Sequence, residues 1–141
     1  MQDLGKQPEW SEPDFAALFG DDAGRVVGFN RSDAVNFVWQ DGGWTQVLGP
    51  AGLVRGWVLD MNDDGAIVGI EGSRSVGRAF VWQGGGTQYL GTTCYARPEA
   101  VNSRGVVVGY AGECPSPGLF SPQTPAMWVP ANGGEAVATG P

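Results

Sequence analysis

The segment whose residue types and spacing come nearest to a chemical site is Asp60-Met61-Asn62-Asp63-Asp64-Gly65, followed by Glu71. It fits the calcium-loop pattern D-x-[DN]-x-[DN]-G-x5-E, in which side-chain oxygens of the first, third, fifth and twelfth residues surround the ion. Asp60, Asn62, Asp64 and Glu71 are therefore the candidate metal ligands, with Ca²⁺ the cation that an all-oxygen set would take. The same residues also read as a plain Asn-x-x-Gly reverse turn between two strands. The sequence favours that reading, because the equivalent turns at Asp21–Gly24 and Asn102–Gly105 lack the carboxylate set. No other cofactor is indicated.

Two further residue types could do chemistry. Cys94 and Cys114 are placed symmetrically about the turn at Ser103-Arg104, so a regular hairpin would bring them face to face. A disulfide is the expected outcome, with two buried free thiols as the alternative. Trp10, Trp44 and Trp57 do not recur along the chain and are the candidate ligand-binding aromatics, since an indole on a turn or strand end can stack on the C–H face of a sugar. Local filling of the core explains each of them equally well. Gly84-Gly85-Gly86 lies between two strand-like runs, where it makes a hairpin turn, not a phosphate cradle at a helix N-terminus.

Composition narrows the field. With no histidine in 141 residues, the chain has no Ser-His-Asp triad, no Cys-His dyad and no His-ligated metal. Nothing else marks a catalytic residue, so the expectation is a protein that is not an enzyme. A net charge of −7, with no block of basic residues, argues against nucleic acid and against anionic bilayers as partners. No apolar run approaches the length of about 18 residues that a membrane span needs. The 24 glycines and 10 prolines fall between short apolar runs in a chain that is 42% hydrophobic, which is the punctuation of an all-β protein dense in turns.

The elements that would position these residues recur at an interval of about 42 residues. Repeat 1 (15–49) runs through Phe15–Phe19, a turn ending at Gly24, Arg25–Phe29, Val35–Trp39, a turn at Asp41-Gly42-Gly43, and Trp44–Leu48. Repeat 2 (57–91) matches it, Gly24 and Gly28 becoming Gly65 and Gly69, Phe37-Val38-Trp39 becoming Phe80-Val81-Trp82, and Leu48-Gly49 becoming Leu90-Gly91. Repeat 3 (96–140) supplies Asn102–Gly105, Val106–Gly109 and Trp128, with a proline-rich insertion at Pro115–Pro125. Each repeat predicts four short antiparallel strands. The recurring Trp39, Trp82 and Trp128 read as core between sheets, each indole with a partner for its N–H. Gly28, Gly69 and Gly109 read either as points of close approach by a neighbouring sheet or as bulges.

Four-stranded sheets repeating at this interval are the sequence form of β-propeller blades. The expected fold is all-β, with three four-stranded antiparallel blades in one domain, a connector at 6–14, and residues 1–5 as the closing strand of a split or preceding blade. Asp3-Leu4-Gly5 already looks like the end of a repeat, so an export signal or an earlier segment is expected ahead of it.

These motifs resemble the bacterial HAF-type extracellular repeats. Met61-Asn62 through Gly69, Arg78-Ala79-Phe80-Val81-Trp82, Tyr89-Leu90-Gly91 and Val101-Asn102 through Gly109 carry the likeness, which covers most of residues 15–128. The chain departs from that pattern at the family's namesake histidine, which is Arg78 in repeat 2 and Val35 in repeat 1. The resemblance implies an exported, extracellular or periplasmic, propeller-like protein and supplies no catalytic residue. The expected role is binding or assembly. The chain itself is the expected partner, two copies closing a ring or many forming a surface polymer, and glycans are the alternative ligand.

Overall fold

A computed structural model describes residues 15–30, 34–52, 56–72, 77–84, 86–91, 95–112, 124–131 and 134–139. The expected N-terminal strand and connector, Trp10, Cys94 and Cys114 lie outside them. Twelve strands follow one another in the described chain. Sheet I contains β1 (Phe15–Gly20), β2 (Val26–Asn30), β3 (Val35–Gln40) and β4 (Gly43–Val47). Sheet II contains β5 (Gly56–Met61), β6 (Ile67–Glu71), β7 (Arg78–Gln83) and β8 (Gly86–Tyr89). Sheet III contains β9 (Tyr95–Val101), β10 (Val107–Gly112), β11 (Thr124–Ala131) and β12 (Gly134–Thr139). Within every sheet the strands pair antiparallel in chain order, so the chain is all-β and built as three repeated sheets.

The turns explain why the repeat folds as it does. In each first hairpin an Asx side chain folds back on its own backbone: Asp21 Oδ1 accepts from the N–H groups of Ala23 and Arg25, Asn62 Oδ1 from Asp64 and Ala66, and Asn102 Oδ1 from Arg104 and Val106. The glycine three residues on takes a φ of +81°, +81° or +80°, a conformation that costs a side-chain-bearing residue roughly 1 kcal/mol or more. The β3–β4 hairpin closes on Asp41 and Gly42, both at positive φ, which is the pair that a type I′ turn needs to follow the twist of its strands.

Gly69 and Gly109 resolve in favour of the bulge. The register slips opposite them, between Val58 and Asp60 in β5 and at the matching place in β9. A Cβ on Gly69 would sit 2.3 Å from the Trp57 carbonyl oxygen, and one on Gly109 2.0 Å from that of Arg97. It is the adjacent strand of the same sheet that comes close, not a neighbouring sheet. The ring of Phe80, paired across from Gly69, lies over the bare backbone.

The sheets stack face on face. Phe80, Trp82 and Ile67 of sheet II pack on Val27, Val38 and Val47 of sheet I. The opposite face of sheet II, with Val68, Ala79 and Leu90, packs on Val101, Val107, Ala126 and Trp128 of sheet III. Each Phe/Ala-x-Trp face thus points to the preceding sheet, and each intervening β-branched face to the following one. Pair register also refines the alignment of the repeats. Trp39 pairs with Trp44 as Trp82 pairs with Thr87, which makes Val47, not Leu48, the counterpart of Leu90. Burial agrees, at 3% exposed for Val47 and 2% for Leu90.

Trp82 and Trp128 are core, as expected of the recurring tryptophans, whereas Trp39 is half-buried on the side of sheet I away from sheet II. The expectation that every buried indole finds a partner fails at Trp128, whose Nε1 has no hydrogen-bond acceptor among the described residues although the residue is fully buried. The aliphatic wall of sheet II offers it none.

Candidate functional site

The calcium-like segment is built into the seam between sheets II and III. Asp60 sits on β5, an edge strand, and its Oδ2 accepts the N–H of Val101 at 2.8 Å from β9, the edge strand of the next sheet. Asn62 is 7% exposed; its Oδ1 holds the turn while its Nδ2 donates to the Asn102 carbonyl at 2.8 Å. Edge-strand amides would otherwise be buried without partners, at about 1–3 kcal/mol each. Asp64 is exposed. Glu71 lies at the far end of the ladder: Asp60 pairs with Val68 and Glu71 with Gly56, three positions further along, or about 10 Å. The four candidate ligands are therefore not brought together, because a strand stands where a calcium loop would turn back to its last ligand. Among the described residues no group of three or more His, Cys, Asp or Glu side chains gathers around one point.

The seam between sheets I and II uses different residues for the same purpose. Asn36, 1% exposed on β3, donates from Nδ2 to the Gly56 carbonyl and accepts the Val58 N–H at Oδ1. Gly56 N–H donates to the Ala34 carbonyl. At the turn end, Arg25 pairs with Asp21 and extends Nη2 to the Asp63 carbonyl at 2.7 Å. Burial pushes the Asp21 carboxyl up, but the Arg25 N–H and guanidinium, with the Ala23 N–H, together hold it below its ordinary value. Sequence reasoning passed over Asn36. Its signal was one polar side chain at an inward position of the otherwise apolar Val35–Trp39 run.

Glu71 has its own setting, also unread from sequence. It is 4% exposed, accepts from Tyr89 Oη and from the Ala51 N–H, and fills the space where a Cβ on Gly49 would stand. The Arg78 guanidinium lies 3.6 Å from the centre of the Tyr89 ring. The cluster fastens the link between sheets I and II to the end of β6. Burial raises the Tyr89 phenol above its ordinary 10.0, and so does its hydrogen bond to the Glu71 carboxylate; Arg78 opposes this.

A raised phenol favours the folded state while it stays protonated. Its contribution is thus complete below about pH 10 and is lost as pH climbs through the folded-state value. Melting temperature followed from pH 8 to 11.5 is expected to fall more gently at the alkaline end in Tyr89→Phe than in the parent protein. The substitution should also cost about 1–2 kcal/mol at pH 8, by leaving a buried carboxylate one donor short. Parallel alkaline slopes for the two proteins would refute this role for Tyr89.

The two described candidate tryptophans do not form one platform. Trp44 packs with Val35 and Phe37 on the face of sheet I that points away from sheet II. Trp57 pairs with Ile70 and alternates with Val58, which puts it on the face of sheet II that points away from sheet I. Two sheet thicknesses, about 20 Å, separate them.

What the described surface does bring together is apolar. Val108 is 47% exposed, Tyr110 42%, Met127 41% and Val129 41%, all on the face of sheet III turned away from sheet II. Val108 occupies the place of Val27 and Val68, both fully buried under the next sheet. Val108 has the same apolar character as its buried counterparts, and nothing local to its strand distinguishes a covered face from an open one; Val129 stands where the other two sheets expose Gln40 and Gln83. No protein-family model, curated protein or solved structure matches the chain.

Proposed function

We propose that this protein is a non-enzymatic, exported β-propeller-type repeat module that works by presenting a sheet face for assembly. The observation that carries this reading is the exposed patch Val108–Tyr110–Met127–Val129, in which Val108 stands where Val27 and Val68 are fully covered by the next sheet, and Met127 where Val38 is. The blade-like repeat, stacked face on face, supports the propeller reading. The resemblance to HAF-type extracellular repeats supports export to the cell exterior or periplasm. A stack whose outer described sheet presents an apolar face carries a docking surface, because exposed contiguous apolar area is costly in water and marks interaction sites.

An environment-sensitive apolar dye tests this. It is expected to fluoresce with the parent protein and to lose most of that signal with Val108→Glu/Met127→Glu, while the far-ultraviolet circular dichroism of the two stays the same. Equal dye signals from the two folded proteins would remove the docking surface from the account.

A further inference from the structure

We infer that the occupant of the sheet III face is the same face of a second copy, in a two-fold symmetric dimer. The inference rests on the proposed assembly role. It starts from the face of sheet III that no other described sheet covers. Sheet I is covered by sheet II and sheet II by sheet III, so two of the three β-branched faces are closed within the chain. The third carries Val108 and Met127 directly opposite each other on β10 and β11, flanked by Tyr110 and Val129. With Leu18 these are the exposed large apolar side chains among the described residues.

A second copy could in principle bring either end of its own stack to this face. The sheet I end is not open: Val35 and Phe37, on its outward side, are each only 7% exposed. The surface a second copy has to offer is its own sheet III. Charge favours the same choice. A chain of net charge −7 repels its copies over most approaches, but among the described side chains of this face the ionised one, Arg97, is neutralised by Glu99 at 2.7 Å. Two such faces meet with no unpaired charge among their described side chains. Self-complementary contact about a two-fold axis also uses one surface twice and stops at two copies.

The face is small. Four strands of about six residues span about 19 Å by 20 Å, roughly 400 Å² in plan. That is below the roughly 800 Å² per partner of a standard interface, so the dimer is reversible, with a dissociation constant on the order of 10–100 µM.

Sedimentation equilibrium of the full chain from about 0.5 µM to about 1 mM, with nitrogen–proton correlation spectra over the upper part of that range, tests the inference. The weight-average mass is expected to rise from one copy and level off at two. Shift changes are expected on Ala100, Val108, Tyr110 and Met127 and not on Phe37, Trp39 or Trp44. Val108→Glu/Met127→Glu is expected to weaken dimerisation at least tenfold without changing the dispersion of the spectrum. A single copy at every concentration, growth past two copies, or equal shifts on sheets I and III would each overturn it. If the protein stays monomeric but the face still governs dye binding, the dimer alone fails; if dye binding is also indifferent to the face, the assembly role fails with it.

Discussion

Trp128→Ala is expected to cost about 3–5 kcal/mol, because a large buried side chain is removed and the cavity left behind closes only in part. Trp128 is 0% exposed and packs on Val68, Ala79 and Leu90 of the preceding sheet, so the loss falls on the joint between two repeats and not within one. Domains of this size are stable by about 5–15 kcal/mol, which puts the variant near the limit of folding and its melting point roughly 10–20 °C lower. Trp128→Phe separates packing from hydrogen bonding. The indole Nε1 has no acceptor, so phenylalanine removes a buried unpaired donor while keeping most of the ring. Its expected cost is about 1 kcal/mol, far below that of alanine. Urea unfolding of the three proteins measures both differences. A Trp128→Ala loss below about 1 kcal/mol would mean that sheets II and III are not packed through this residue.

Much of the fold was legible in the sequence because its determinants are local. Asn62 and Asn102 announce their turns by side-chain bonds to the backbone two and four residues ahead, and Gly65 and Gly105 by a φ that other residues avoid. The hairpin at Asp41-Gly42 is equally self-contained. What the sequence did not reveal depends on a second sheet. Asp60 looked like a metal ligand because a carboxylate two residues before an Asx turn is also what a calcium loop requires. Its actual partner, the Val101 N–H, lies 41 residues away on the next edge strand. Asn36 was invisible for the same reason: its two partners are backbone groups of β5. The alternation of Val107 and Val108 looks like that of Ile67 and Val68, yet Val107 is 1% exposed and Val108 47%. Among the described residues no sheet lies over Val108, a difference that no residue in β10 encodes.

Sheet seams made by single side chains also explain how the repeats can diverge in sequence. Sheets I and II are joined at Asn36 and Arg25, sheets II and III at Asp60 and Asn62. Asn36 and Asp60 satisfy backbone groups of the edge strands β5 and β9, which otherwise invite pairing with other chains, while Arg25 and Asn62 reach carbonyls of the adjoining turns. The residue that does it need not be the same from one seam to the next.

Placing glutamate at the two equivalent positions, Val68→Glu in sheet II and Val108→Glu in sheet III, bears most directly on the claim that the stack ends in an open docking face. Both are measured by urea unfolding at about 0.5 µM protein, where the proposed dimer is almost wholly dissociated. Val68 is 0% exposed between two sheets, so a carboxylate there is buried without a partner and is expected to cost about 4 kcal/mol or more, a large part of the whole stability. Val108 is 47% exposed, and glutamate there is expected to change stability by no more than about 0.5 kcal/mol. Comparable losses at both positions would contradict the account, since they would show that the outer face of sheet III is core.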